Sequence, residues 1–231
     1  MTLLSGWSGF ALALAAFVLT HFVPTRPALR ERLVAALGRR AWFSLYGAVS
    51  LLVTAWVIWA AGRAPYLELW PQLPWTRWVP NLAMPLAIAL AALGLPARTV
   101  TLGGPRQARP DPGAFATVTR HPLLWALSLW ALSHLFPNGD LAHAVLFGGF
   151  ALMGLAAMPA FDARARRAMA PGEARAYFAE TATLSLRPLL RPAWWRAAVT
   201  PRIGRLLVAV AVWLLLLLLH PWVIGASPLP L

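Results

Sequence analysis

Long apolar runs without a charge alternate along this chain with short segments dense in arginine. A helix needs roughly 20 mostly apolar residues to cross a hydrocarbon core about 30 Å thick. Six runs meet that requirement: residues 3–23, 41–62, 78–97, 121–139, 141–161 and 206–231, the last with its spanning part at about 206–224. The third carries Pro80 and Pro85 in its expected first turns, where a helix tolerates a missing amide donor. The sixth contains the leucine stretch 214–219, a lipid-facing type of sequence with no polar handle before His220. The pattern predicts an all-α, polytopic transmembrane helix bundle of about six spans, forming one integral membrane domain over residues 1–231.

Between the runs the signals are those of turns and short helices. Residues 162–204 form the one soluble segment of any size. Its 173–182 part follows Pro171 and Gly172 as a short helix should, and Pro188 and Pro192 then break the chain. Trp194 and Trp195, beside Arg196, read as an interfacial anchor. Asn138-Gly139 reads as a turn with Gly139 at positive φ, and Asp140 as the N-cap of the fifth span. The first basic residue, Arg26, follows the first apolar run, so that run is expected to be retained as a span and not cleaved as a signal.

Composition sharpens this reading. Of 231 residues 60% are hydrophobic and 12% charged, with a mean hydropathy of +0.65, well outside the range of soluble domains. All 20 basic residues are arginine, and with 7 acids the formal charge is +13. The segments 26–40, 98–120 and 164–205 hold 18 of the arginines, while Arg63 and Arg77 on the other side are balanced by Glu68 and Asp140. Arginine-rich short loops stay cytoplasmic, which turns both termini to the periplasm. The same loops meet anionic headgroups of the lipid bilayer, and no recognised motif accompanies them, so no nucleic-acid partner is expected. No span carries a mid-depth acidic residue and no inverted repeat is evident, which argues against a proton-coupled carrier or ion channel. Without cysteine the chain forms no disulfide, Cys-type zinc site, iron–sulfur cluster or thiolate haem ligand.

The candidate chemistry rests on five histidines. His21 stands near the cytoplasmic end of the first span. His121 opens the fourth on the same side, within Thr119-Arg120-His121-Pro122. His134 lies 13 residues further on, about 20 Å along that helix and some 140° around it, so His121 and His134 cannot readily share a metal. His220 precedes Pro221 and Trp222 as an interfacial residue. His143 follows the turn at Asp140, and His134, Asp140 and His143 form an alternative metal set at the outer end of that hairpin. Facing histidines in a helix bundle are a usual way to hold haem b. On depth alone His21 pairs best with His121.

The segment His21-Phe22-Val23-Pro24, then Gly38-Arg39-Arg40-Ala41-Trp42 and Leu45-Tyr46-Gly47, resembles the opening of the NnrU family. Arg120-His121-Pro122-Leu123-Leu124, Trp130-Ala131-Leu132-Ser133-His134 and Asn138-Gly139-Asp140-Leu141 continue the resemblance, which covers roughly residues 3–190. It implies a multi-pass protein of the bacterial inner (cytoplasmic) membrane linked to nitrite and nitric oxide metabolism, that is, denitrification. It also implies a tie to a plant relative, a 15-cis-zeta-carotene isomerase that uses haem b. Carried over residue by residue, that relative's haem-iron ligands fall on His21 and His134, and its alternative cysteine ligand falls on Ala131.

A second resemblance runs through Gly113-Ala114-Phe115, Val118-Thr119-Arg120-His121-Pro122-Leu123, Gly172-Glu173 and Tyr177. It is similar to the isoprenylcysteine carboxyl methyltransferase pattern and would imply S-adenosylmethionine as cofactor. The paired glutamates of that pattern are represented only by Asp162 with Arg164. The leading expectation is therefore a haem-binding membrane protein serving nitrogen-oxide metabolism or redox-linked isomerisation of a lipid-soluble substrate. An S-adenosylmethionine-dependent methyltransferase and a non-catalytic assembly or regulatory factor for a membrane reductase are the alternatives, and whether the chain is an enzyme stays open.

Overall fold

The computed structural model describes residues 6–95, 99 and 113–230. Arg98, Arg106 and Arg109 of the second basic segment lie outside them. Among the described residues there is no β-strand, and one antiparallel bridge joins Glu68 to Asp140. The described residues form ten α-helices in succession: α1 (Gly6–Phe22), α2 (Pro27–Leu37), α3 (Arg39–Ala61), α4 (Trp78–Gly94), α5 (Gly113–Ala116), α6 (Pro122–Leu135), α7 (Leu141–Ala168), α8 (Pro171–Glu180), α9 (Pro192–Ala198) and α10 (Ile203–Val223). The protein is thus all-helical, as the runs predict.

By length and hydropathy α3, the stretch Pro74–Gly94 with α4, α7, and the stretch Pro192–Val223 with α10 are able to cross a membrane. A fifth crossing is counted if α1 and α2, bent by 79° at their junction, are taken together. Large apolar side chains stand exposed along these helices, with Leu51 74%, Leu152 70% and Leu218 71% accessible, and a bilayer is the solvent that makes such exposure favourable. The chain is a multi-pass membrane protein. The fourth predicted run yields only the 14-residue α6, about 21 Å long, because Pro137-Asn138-Gly139 ends the helix early. Pro85 lies within α4 and not in its first turns. α7 continues seven residues past the end of its uncharged run, since loss of apolarity ends a span but not a helix.

The chain divides into two compact units, the first comprising residues up to Pro71 with Gly139–Leu146, the second Gln72–Asn138 with everything from Phe147. In the first, α1 packs on α3, and α2 also rests on α3. Gly38, at φ +79°, closes α2 and opens α3, a left-handed corner that a residue without Cβ adopts at no steric cost. The loop 62–71 returns to the turn before α7: the Leu69 and Trp70 amides donate to the Gly139 carbonyl at 2.7 and 3.1 Å, and the Leu141 amide donates to Leu67. The expectation of positive φ at Gly139 is corrected here. Gly139 does not have positive φ, and its absent side chain instead admits the Trp70 backbone, which any Cβ would overlap.

Asp140 caps α7 as predicted: its Oδ1 accepts the His143 amide at 3.1 Å, while Oδ2 receives the His143 Nδ1 proton at 2.7 Å. Nearby, Tyr66 donates to Glu68 at 3.4 Å, and desolvation together with the Glu68 and Asp140 charges holds its phenol pKa above the ordinary value. With Asp140 5% exposed, Asp140→Ala loses both a cap and a partly buried bond. We expect a loss of about 1–3 kcal/mol in thermal unfolding of detergent-solubilised protein, with cofactor content per folded molecule unchanged. A folded, equally stable variant would remove this turn from the stabilising contacts.

In the second unit α4 packs on α6 and on α10. Gly94 meets the Pro122 ring with no room for a Cβ. Trp194 is not an interfacial anchor. It is buried with Leu93, Phe115, Val118 and Ala198, and its indole donates to the Ala114 carbonyl at 2.7 Å. Trp195 is 47% exposed and fits that role.

Candidate functional site

The densest polar cluster forms where α6 begins. Pro122 is the first helical residue of α6 and His121 its N-cap, a position where proline's missing donor has no cost. The preceding residues run beside the stretch 181–185: the Arg120 amide donates to the Ala182 carbonyl at 2.8 Å, the Ala182 amide to Ala116 at 3.1 Å, and the Ser185 amide to Val118 at 2.9 Å. Thr119 donates its hydroxyl to the Thr183 carbonyl at 2.8 Å and accepts the His121 amide at 3.0 Å. The Trp125 indole donates to that same Thr183 carbonyl at 2.9 Å.

Asp162 of α7 closes the cluster. Arg120 donates Nε to Asp162 Oδ1 at 2.8 Å and Nη2 to Oδ2, the two-pronged geometry that suits a guanidinium to a carboxylate. Its remaining donors reach the Thr181 carbonyl at 3.2 Å and the Thr183 hydroxyl at 2.7 Å. The guanidinium lies 4.9 Å over the Phe178 ring, which Arg166 also covers at 3.7 Å. His121 is fully buried, and its Nε2 donates to Asp162 Oδ1 at 2.9 Å. This is a charged group whose every described polar atom is matched, and its chemistry is that of a clasp joining the start of α6 to α7 and the loop after α8. A carboxylate that orients an imidazole is also a catalytic arrangement, yet here the ring is sealed from solvent.

His21 and His134 share a different arrangement. His21 Nδ1 donates to the Phe17 carbonyl one turn earlier at 2.9 Å, and His134 Nδ1 donates to the Trp130 carbonyl at 2.7 Å. Each follows a hydroxyl residue, Thr20 or Ser133, and each stands next to last in its helix. Aromatic rings flank both: Phe17 stacks on His21 at 4.0 Å with Tyr46 at 6.4 Å, and Phe147 and Trp130 lie 5.3 and 5.8 Å from His134. Binding Nδ1–H to a carbonyl fixes the tautomer that leaves Nε2 with its lone pair, the state a metal-ligating imidazole requires. No described residue takes either Nε2 as a hydrogen-bond partner.

At the other predicted positions the Nδ1 partner is not the carbonyl one helical turn earlier: it is a carboxylate for His143 and a carbonyl six residues further on for His220. His143 is paired with Asp140, and His220 donates Nδ1 to Ala226 at 2.7 Å. Among the described residues no three His, Cys, Asp or Glu side chains come together as a metal set, so His134, Asp140 and His143 do not form one. Ala131, on which the resemblance placed the isomerase's cysteine, is fully buried in α6. A model of the family described as NnrU protein matches residues 9–228. The chain belongs to the NnrU family. No curated protein and no solved structure matches it.

The match runs past residue 190, where the resemblance read from motifs ends, so α9 and α10 belong to the NnrU region too. Sequence reasoning missed Asp162 as the partner of Arg120 and His121. The signal was present as a lone acid just after the uncharged run 141–161, on the side predicted to hold the Arg-His-Pro turn.

Proposed function

We propose that this NnrU-family protein binds haem b in the bacterial inner membrane, with His21 and His134 as the iron ligands, and serves nitrogen-oxide reduction or redox-linked isomerisation of a lipid-soluble substrate. The single observation that carries the reading is the arrangement His21 and His134 share, with Nδ1 tied to the carbonyl one helical turn earlier, Nε2 left with its lone pair and aromatic rings alongside. Imidazole is the ligand chemistry haem iron takes, and the donor set fits. When bound, haem b supplies one-electron chemistry at iron. The residues of this chain hold and orient: Phe17 and Trp130 carbonyls fix the rings, and the aromatic neighbours exclude water. His121 is set aside as a ligand because its Nε2 is given to Asp162. The same carboxylate takes both prongs of Arg120, which leaves that guanidinium committed within the protein and weighs against a role in holding S-adenosylmethionine.

The reading includes one membrane domain of six crossings, by α1, α3, α4, α6, α7 and α10, with both termini periplasmic. Reporter fusions after Gly62 and Asp140 are expected to report the periplasm, and fusions after Arg40, Gly104 and Arg175 the cytoplasm, because the arginines divide 18 to 2 between the sides. A cytoplasmic signal at Asp140 contradicts this orientation. Haem itself is tested by pyridine haemochrome assay of purified protein, where stoichiometric haem b is expected. Absence of haem with co-purification of a membrane reductase would support the assembly-factor reading instead.

A further inference from the structure

Helix α2 is unlike its neighbours. It joins two apolar helices, yet it carries Arg30, Glu31 and Arg32 in succession, and none of its residues is buried. It turns by 79° from α1 at a junction held by the Thr25 hydroxyl, which donates to Phe22 at 2.9 Å, and by the Arg26 amide, which donates to Val23. If α1 stands along the membrane normal, a helix at that angle runs along the surface, where three consecutive charges meet water and headgroups and not hydrocarbon.

At the corner between α2 and α3, two guanidiniums share one ring. Arg30 lies 5.5 Å and Arg39 5.3 Å from the centroid of Phe43, which is itself 42% exposed. Among the described residues no carboxylate forms an ion pair with either arginine, and the ion pairs found there belong to Arg120, His121 and His143. Arg26, Arg32 and Arg40 add further charge against the single acid Glu31. Two like charges held by one aromatic anchor repel each other unless an anion lies between them. A planar guanidinium suits the oxygens of a phosphate. The site sits where an apolar span begins, the depth at which lipid phosphates occur.

We infer that α2 lies in the membrane surface and that Arg30 and Arg39, braced on Phe43, bind the phosphodiester of an anionic phospholipid. The inference stands independently of haem, since neither arginine touches His21 or His134 in any described contact. It commits to a lipid phosphate as the occupant, because the ring and the exposed Leu29 and Leu37 of the same helix favour a ligand with an acyl part beside its charge.

The test uses the full chain in detergent, equilibrated with mixed micelles of phosphatidylglycerol and phosphatidylcholine in equal amounts, and measures co-purified lipid by mass spectrometry. The wild type is expected to enrich phosphatidylglycerol roughly thirtyfold, the combined scale for two surface arginines. R30Q/R39Q should fall to near parity, and R30Q and R39Q alone to about one fifth of the wild-type enrichment. R63Q, which removes a guanidinium stacked on Trp59, should keep the wild-type value. The single variants decide the matter if the double variant does not fold. Undiminished enrichment in the single or double variants overturns the proposal, as does displacement of phosphatidylglycerol from the wild type by millimolar inorganic phosphate, which would make this a general anion site.

Discussion

Arg120→Ala is expected to lose about 3–5 kcal/mol of stability, because it strips the Asp162 carboxylate of its cation in a largely buried position and leaves it only the His121 imidazole as partner. The Arg120 and Asp162 side chains are 9% and 15% exposed, so solvent offers little compensation. Asp162→Ala is at least as damaging, since it strips the partner from both Arg120 and His121. Against a net stability on the order of 5–15 kcal/mol, either change removes much of the folded protein. The double replacement Arg120→Met with Asp162→Leu should recover part of the loss, because removing both charges is far less costly than stranding one. Thermal unfolding in detergent measures all three. Single variants within about 1 kcal/mol of the wild type would mean that the clasp contributes little.

That clasp shows which parts of the molecule the sequence makes legible. A span is announced locally by the absence of charge, and residues 41–62 and 141–161 accordingly contain most of α3 and α7. The helix end is not announced in the same way: α7 goes on through Asp162, Arg164, Arg166 and Arg167, residues that water solvates without unwinding a helix. Helix α2 escaped notice because it is short and carries Arg30, Glu31 and Arg32 in succession, inside a segment marked by its charge. The Asp140 cap was legible because cap and helix are adjacent, and the His143 bond came with it. Gly139 was recognised as a turn residue for the wrong reason, since the close approach of Trp70 comes from a segment far away in the chain. Trp194 was placed at the interface from its arginine neighbour, whereas its partner Ala114 lies 80 residues away. Asp162 and His121 are 41 residues apart, and no spacing rule connects them. The carbonyl bonds of His21 and His134, by contrast, span a single helical turn. They follow from placing a histidine four residues after a carbonyl that its ring reaches.

His21→Ala and His134→Ala are expected to abolish the haem spectrum or convert it, while each variant still folds, because both side chains are only partly buried and bond within their own helices. His143→Ala and His220→Ala should leave the spectrum unchanged, because neither has its Nδ1 bonded to the carbonyl one turn earlier in its own helix and neither falls on a ligand position of the isomerase resemblance. His121→Ala separates the two kinds of histidine. It should lower the yield of folded protein, by roughly 1–3 kcal/mol for a lost bond to a buried carboxylate, and leave haem per folded molecule as in the wild type. If His121→Ala lost haem and His134→Ala kept it, the pairing by depth would replace the pairing by resemblance.

The most direct measurement is the dithionite-reduced minus oxidised absorption spectrum of purified wild-type protein, recorded beside His21→Ala and His134→Ala. With no cysteine in the chain, the predicted result is a Soret band that shifts on reduction and carries no thiolate signature, lost or converted in both variants. A wild type without a Soret band, or one whose band is the same in both variants, would contradict haem ligation by His21 and His134.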